Sequence, residues 1–344
     1  MKKNSFMISF GKKYLTYIIV AAVAIIYAIL SLTGSVQTTD LYLLEKIAIS
    51  AILAVSLGMV VGFLGELSLG HAGFMCVGAY LGGKVALIFE SMLGNSVLTL
   101  LISVIAGGLV AAAFGLIIGL PALRLRGDYL AIVTLAFGEI VRNVIMNLPE
   151  KYFGGTLGLE TPRFDKKYLF IISFVFVIIT LAVTNNLLKS KHGRAITSIR
   201  DNEIAAKAMG IDVTKYKLFV FMLSSFFAGI AGVLFSYSNY RIQSANFDYN
   251  YSIEILVMVV LGGIGSINGS LIAATVITFL NVKLQTLLTG DLAVLQNLFY
   301  SLILIVIIIY NNAPALKTFR EKYNTKTIIA KLRKKKKNDV KEGE

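Results

Sequence analysis

An all-α fold, a polytopic bundle of about ten membrane-spanning helices, is predicted by three features of the 344-residue sequence. Hydrophobic residues make up 56% of the chain and charged residues 15%, a balance far too apolar for a soluble domain of this length. Apolar runs of about twenty residues recur without one charge, at 14–32, 47–65, 97–120, 168–188 and 218–240. A bilayer core of about 30 Å is crossed by about 20 residues of helix, so each run is long enough to span it. The basic residues are also clustered: 24 of the 33 Lys and Arg lie before residue 14, at 124–126, at 189–217 and from 317 onward.

In chain order, residues 1–13 form a Lys-bearing segment ahead of the first run. That run, 14–32, has no A-x-A-like site after it and reads as a retained anchor instead of a cleaved signal. The 47–65 run passes into a Gly- and Ser-rich break, GELSLGHAG, at 65–73. Weaker spans at 72–89 and 129–147 flank the 97–120 run. The uncharged stretch 255–282 is interrupted by Gly262, Gly263, Gly265 and Gly269, and reads as the inner part of a hairpin between spans at 252–264 and 270–289. A last weak span covers 296–310. The transmembrane domain therefore extends over 14–311, followed by a basic tail, 312–344, expected to be disordered and to touch anionic lipid. An even span count puts both termini on the basic face, which the positive-inside rule makes cytoplasmic, in a multi-pass protein of a bacterial cell membrane.

Between the 168–188 and 218–240 runs lies the charged stretch 193–211, GRAITSIRDNEIAAKAMGI. Asp201 and Glu203 place acids at the positive start of a helix, Ala205, Ala206 and Ala208 favour helix, and Gly210 can take the left-handed conformation that ends one. Two to three turns are too few for a helix to stand alone in water, so a soluble partner is expected to dock there. Within this loop, 189–217, the residues expected to couple to that partner are Arg200, Asp201, Glu203, Ala206 and Gly210.

No catalytic cluster is apparent. His71 and His192 are far apart and sit in no metal-ligand spacing, and the lone Cys76 excludes disulfides and Cys-based metal frameworks within one chain. The stretch GAYLGGKV at 78–85 comes within one residue of a phosphate-binding loop. Val85 has no hydroxyl for Mg²⁺, and the stretch falls inside an apolar span, so close helix packing is the better reading. Half of the net charge of +14 resides in the tail, which argues for lipid and topology rather than nucleic acid.

Broken backbone at membrane depth persists only where protein or water satisfies its polar groups, and paired breaks in two halves of a chain point to a translocation path. The breaks at 65–73 and 262–270 fit that pattern, with Glu66, Ser68, His71, Gly263, Gly265 and Ser266 as path candidates. Glu66 is expected to face water or Ser68. Glu139 and Arg142, three residues apart on one helical face, are expected to form a structural ion pair.

Four stretches, in order, resemble the membrane subunit of bacterial ABC importers for branched-chain amino acids, the longer LivM-type permease: GFLGELSLGHAGFMCVGAY at 62–80, PALRLRGDYLAIVTLAFGEIVR at 121–142, GRAITSIRDNEIAAKAMGIDVTKYK at 193–217, and SIEILVMVVLGGIGSINGS at 252–270. The resemblance implies a second, LivH-type permease, two cytoplasmic ATPase subunits that carry ATP and Mg²⁺, and an external substrate-binding protein, with no cofactor on this chain. It also implies that 203–210 is the coupling helix, whose Ala206-x-x-x-Gly210 spacing is similar to the EAA-type loop of ABC permeases. Two departures stand out. The family commonly has Gln where this chain has Glu66, and NNAPAL at 311–316 replaces its usual R-P-x-G-L.

Related permeases for urea, short-chain amides, nucleosides or sugars share the glycine-rich pattern and form the alternative within the class. An ion-coupled secondary transporter or channel is the alternative outside it. Such a protein should carry a membrane-embedded coupling carboxylate, and it leaves the charged helix without a role.

Overall fold

The computed structural model describes residues 2–32, 37–125 and 127–288, and beyond them positions 298, 300–302, 305–306 and 309. The chain divides into two units, Met1–Val282 and Lys283–Glu344. In the second, the described residues are the end of the last long helix and isolated helical positions between 298 and 309. The tail at 312–344, the NNAPAL stretch and most of the expected 296–310 span lie outside the described residues.

Helix α1 (Lys2–Leu32) runs without interruption through the expected N-terminal segment, since its backbone bonding does not depend on the bilayer boundary. Helix α2 (Thr38–Gly58) continues through a π-helical turn to Leu64. The break then covers 65–70, and the chain resumes in α3 (His71–Val77), a second π-helical turn, and α4 (Gly83–Leu93). Next come α5 (Val97–Ala122), α6 (Asp128–Asn147) and the short α7 (Glu150–Phe153). Helix α8 (Lys166–Lys189) leads into α9 (Lys191–Asp201) and α10 (Glu203–Ala208). The chain returns along α11 (Val213–Asn239), α12 (Tyr249–Gly262) and α13 (Ile267–Leu287).

Capping residues account for several of these starts. Ser96, Asp165, Asp212 and Asp248 each accept a backbone N–H of the first turn that follows, at α5, α8, α11 and α12. Strands β1 (Leu159–Glu160) and β2 (Arg241–Ile242) pair antiparallel at the end of the bundle opposite α9 and α10.

Among the described residues, seven helical segments are long and apolar enough to cross a membrane, and Thr16–Ser31 and Tyr249–Gly262 are shorter apolar helices. The expected count of about ten is therefore approximate. At 14 residues, α12 rises about 21 Å, short of a full bilayer core. It turns at Gly263 into α13, the hairpin expected from the glycine pattern.

Helix α11 is the centre of the bundle, packed on α2, α3 and α5. Small residues make that possible: a Cβ on Gly78 would lie 2.4 Å from the Gly229 Cα, and one on Gly232 would lie 2.1 Å from the Met75 carbonyl oxygen. In hydrocarbon the hydrophobic effect does not drive helices together, so such backbone approach supplies the van der Waals contact instead. The 78–85 stretch thus serves packing.

Candidate functional site

The charged loop forms two helices where one was expected. Helix α9 starts at its cap Ser190, whose Oγ accepts from the Gly193 N–H at 3.2 Å, and it seats Ile196 and Ile199 against the bundle. Asn202 is extended (φ −159°) and ends α9 while capping α10, its Oδ1 accepting from the Ala205 N–H at 3.0 Å. Asp201 consequently belongs to the last turn of α9, paired with Arg200, and is not at the start of the short charged helix as expected. The amide cap at 202 holds the N2–N3 region that an acid would otherwise occupy.

Helix α10 is only six residues long. It closes with Gly210 at φ +81°, the Gly210 N–H bonded to the Lys207 carbonyl (3.1 Å) and the Ile211 N–H to the Ala206 carbonyl (3.1 Å), a Schellman ending. Ala206 faces inward, whereas Ile204 and Met209 are 77% and 83% exposed. A cleft of about 470 Å³ beside α10 is lined by His192, Ile211, Tyr216 and Phe219 among others.

Two cations fasten this short helix and its neighbour to the first break. Lys217, in the second turn of α11, is 4% exposed and donates through Nζ to Glu66 Oε1 and, at 3.2 Å, to Glu203 Oε2. Glu66 therefore faces a buried ammonium rather than water or Ser68. Arg200 Nη1 donates to the Gly62 carbonyl at 3.1 Å, while its Nε and Nη2 hold Asp201. Gly65 is left-handed (φ +80°), and a Cβ there would lie 2.7 Å from Arg200 Cγ.

The second break meets the π-helical turn that leads into the first. A Cβ on Gly62 would lie 2.6 Å from the Gly265 nitrogen, so the turn before the first break touches the second break backbone to backbone beside Arg200. Gly263 and Gly265 have φ +92° and +84°, and Ser266 Oγ accepts from the Gly269 N–H at 3.1 Å. Four of the six path candidates, Glu66, Gly263, Gly265 and Ser266, thus gather around the loop.

The other two lie deeper or aside. Ser68 is buried. His71 begins α3 and bonds through Nε2 to Ser56 Oγ at 2.8 Å. Ser56 itself donates to the Leu53 carbonyl, so the network assigns the proton to His71 Nε2. Neighbouring backbone groups of the break are satisfied by side chains: Leu69 N–H donates to Thr134 Oγ1 (3.0 Å) and Ala72 N–H to Ser252 Oγ (3.1 Å). That is how protein tolerates irregular backbone at depth.

Glu139 and Arg142 pair at 2.7–2.9 Å, and the second Glu139 oxygen accepts the Tyr249 N–H at 3.1 Å, the first of α12. The pair thereby positions α12 as well. Sequence reasoning missed Lys217. Its signal was available as a lysine placed just inside a long uncharged helix, where a lone ammonium would be costly. Among the described residues, no group of His, Cys, Asp and Glu has the arrangement of a metal site.

The described helices form a multi-pass bundle with a small capped helix fastened to two interrupted apolar helices, and the proteins the chain is similar to are membrane transport permeases. The chain belongs to the family described as branched-chain amino acid transport system / permease component, whose profile matches residues 41–310. It is similar to the high-affinity branched-chain amino acid transport system permease protein LivM of Salmonella typhimurium, 35% identical over 297 residues, or 77% of this chain and 67% of the relative. The LivM of Escherichia coli is 36% identical over 294 residues, covering 76% and 66%. The ribose import permease protein RbsC of Haemophilus influenzae is 28% identical over 264 residues, covering 72% and 77%. The chain spans about two thirds of the length of these LivM relatives. No solved structure matches it.

Proposed function

We propose that this chain is the membrane-spanning subunit of an ATP-driven importer for leucine, isoleucine, valine or related hydrophobic amino acids, working from an external binding protein toward the cytoplasm. The observation that carries the reading is the seating of α10. A six-residue helix with Ile204 and its C-cap Met209 bare on the surface is a docking element; its Glu203 is tied through Lys217 to Glu66 of the first break, and Arg200 of α9 holds the π-helical turn that touches the second. In this reading a cytoplasmic ATPase subunit grips Ile204, Met209 and the adjoining cleft. ATP and Mg²⁺ sit on that partner, and a second, LivH-type permease completes the path. Closure of the ATPase pair displaces α10 as a rigid body. The two cations carry the displacement to the 62–66 and 263–266 backbone, so the bundle shifts between packings that differ in their affinity for the closed ATPase.

The basic clustering supports a cytoplasmic location for α9 and α10 and for both termini of the cell-membrane protein. Glu66 does not fit the coupling carboxylate of an ion-driven transporter, because Lys217 already neutralises it. The likeness to a ribose permease keeps sugar as the second cargo. Proteoliposomes holding the full complex decide between them: ATP-driven uptake of labelled leucine, competed by isoleucine and valine and not by ribose, is expected. Ribose uptake without leucine uptake overturns the amino-acid reading, and uptake that follows an ion gradient without ATP overturns the importer.

A further inference from the structure

At the end of the bundle away from α10, α2 and α11 meet again through polar side chains. Glu45 has no exposed surface, and its Oε2 accepts from Ser238 Oγ at 2.6 Å. Its Oε1 has no partner among the described residues. A buried carboxylate oxygen left unpaired is costly, and such groups persist where a ligand, not the fold, supplies the partner. Directly beside it, Lys46 Nζ sits 3.9 Å from the Phe235 ring centroid and 5.2 Å from that of Tyr42, and donates to Asn239 Oδ1 at 3.2 Å. Two ring faces and an amide oxygen are the chemistry that recognises an ammonium group, and here the chain's own ammonium fills it. Lys166, at the start of α8, also reaches this cluster, its Nζ 4.9 Å from the Tyr42 centroid. Tyr42, Lys46, Lys166 and Asn239 are half-buried, so the cluster reaches the surface, while Glu45 is fully buried.

We propose that this cluster is a receiving site for an α-amino acid zwitterion, with Glu45 taking the α-ammonium group and Lys46 and Lys166 the α-carboxylate. The site rests on the reading of the chain as an amino-acid permease. It sets Glu45, Lys46 and Lys166 at the end where a binding protein would release its cargo, with Glu254 of α12 also within electrostatic reach of Lys46. Lys46 leaves the ring faces to meet the carboxylate, and the incoming ammonium takes its place between those faces and the open Glu45 oxygen. No bond is made or broken. A sugar offers neither charge, so the same groups discriminate against it.

The test uses the complete importer in proteoliposomes, wild type first. If the wild-type complex moves no branched-chain amino acid, the functional reading fails and the site with it. If it does, Glu45→Gln, which keeps the shape and the Ser238 acceptor, is expected to raise the KM for leucine at least tenfold with basal ATP hydrolysis unchanged. Lys46→Gln with Lys166→Gln should do the same. A second measurement needs no variant: a diazirine analogue of leucine, photolysed on the wild-type complex, should label residues within 38–46 or 235–242. Unchanged KM in Glu45→Gln, or adducts confined to other segments while wild-type uptake proceeds, overturns the site and leaves the functional reading standing.

Discussion

Lys217→Met tests the link between α10 and the broken backbone directly. The methionine keeps the length and most of the volume of the side chain but removes an ammonium that is 4% exposed. Glu66, with 11% side-chain exposure, is then a nearly buried carboxylate with no cation, and removing one partner of a buried pair costs about 3–5 kcal/mol. Because Glu66 sits at the end of the bundle where water can partly reach it, the lower end of that range is expected. The Glu203 contact adds at most about 1 kcal/mol, since that side chain is 30% exposed and can be rehydrated. Glu66→Gln is milder, about 1–2 kcal/mol, because an amide oxygen still accepts from Lys217 and Glu203 still neutralises it. In the double variant neither neutral side chain strands a charge, so its cost should fall short of the sum of the singles by about 1–2 kcal/mol. Unfolding free energies by denaturant titration in mixed micelles give the cycle. In parallel, Lys217→Met should keep hydrolysing ATP while leucine uptake per ATP falls roughly 5- to 150-fold, the range of a coupling energy of about 1–3 kcal/mol. Additive costs within about 0.5 kcal/mol, together with unchanged uptake per ATP, would show that the Lys217 bridge carries nothing between the two elements.

Gly210→Val forces a β-branched residue to φ +81° in open space, costing about 1–2 kcal/mol of local strain. Membrane levels should be normal, uptake lost and ATPase co-purification weakened; wild-type uptake in this variant would remove 203–210 as the coupling helix. Gly62→Ala drives a methyl to 2.6 Å from the Gly265 nitrogen and should cost about 1–3 kcal/mol with loss of uptake, whereas Gly58→Ala, whose nearest neighbour is Ser270 Oγ at 3.7 Å, should be tolerated. Equal uptake by the two variants would show that contact between the π-helical turn and the second break is dispensable. For orientation, a cysteine at exposed Asn202 in a Cys76→Ala background should be shielded from impermeant thiol reagent added to intact cells, and one at exposed Thr156 should react. The reverse pattern would invert the topology.

Much of the site was legible one residue at a time. The left-handed Gly210, the Glu139–Arg142 pair and the hairpin turn at Gly263 all follow from local chemistry: a φ value, a helical spacing, a residue type that fits one backbone position. The miss at Asp201 was also local, because an acid and an asparagine compete for the same cap and residue type does not say which is extended. What lay beyond local reading were the partners of the charges. Glu66 looked like a residue facing water because its cation is 151 positions away, and Glu45 fell outside the expected span although α2 carries it fully buried.

The sequence by itself determined that this is a helical membrane protein, where most of its helices lie, which ends are capped, and that a short helix interrupts the apolar runs on the basic face. Those properties depend on composition, on periods of a few residues and on the thickness of a bilayer, all of which act within a segment. Only the tertiary structure decided that the π-helical turn before the first glycine-rich break meets the second at Gly62 and Gly265, that Arg200 and Lys217 bind this region to the charged loop, and that α2 and α11 face each other with Glu45 between them. These contacts join residues far apart in the chain, and they form because a charge or an unpaired backbone group in hydrocarbon must find its partner wherever helix packing brings one within reach.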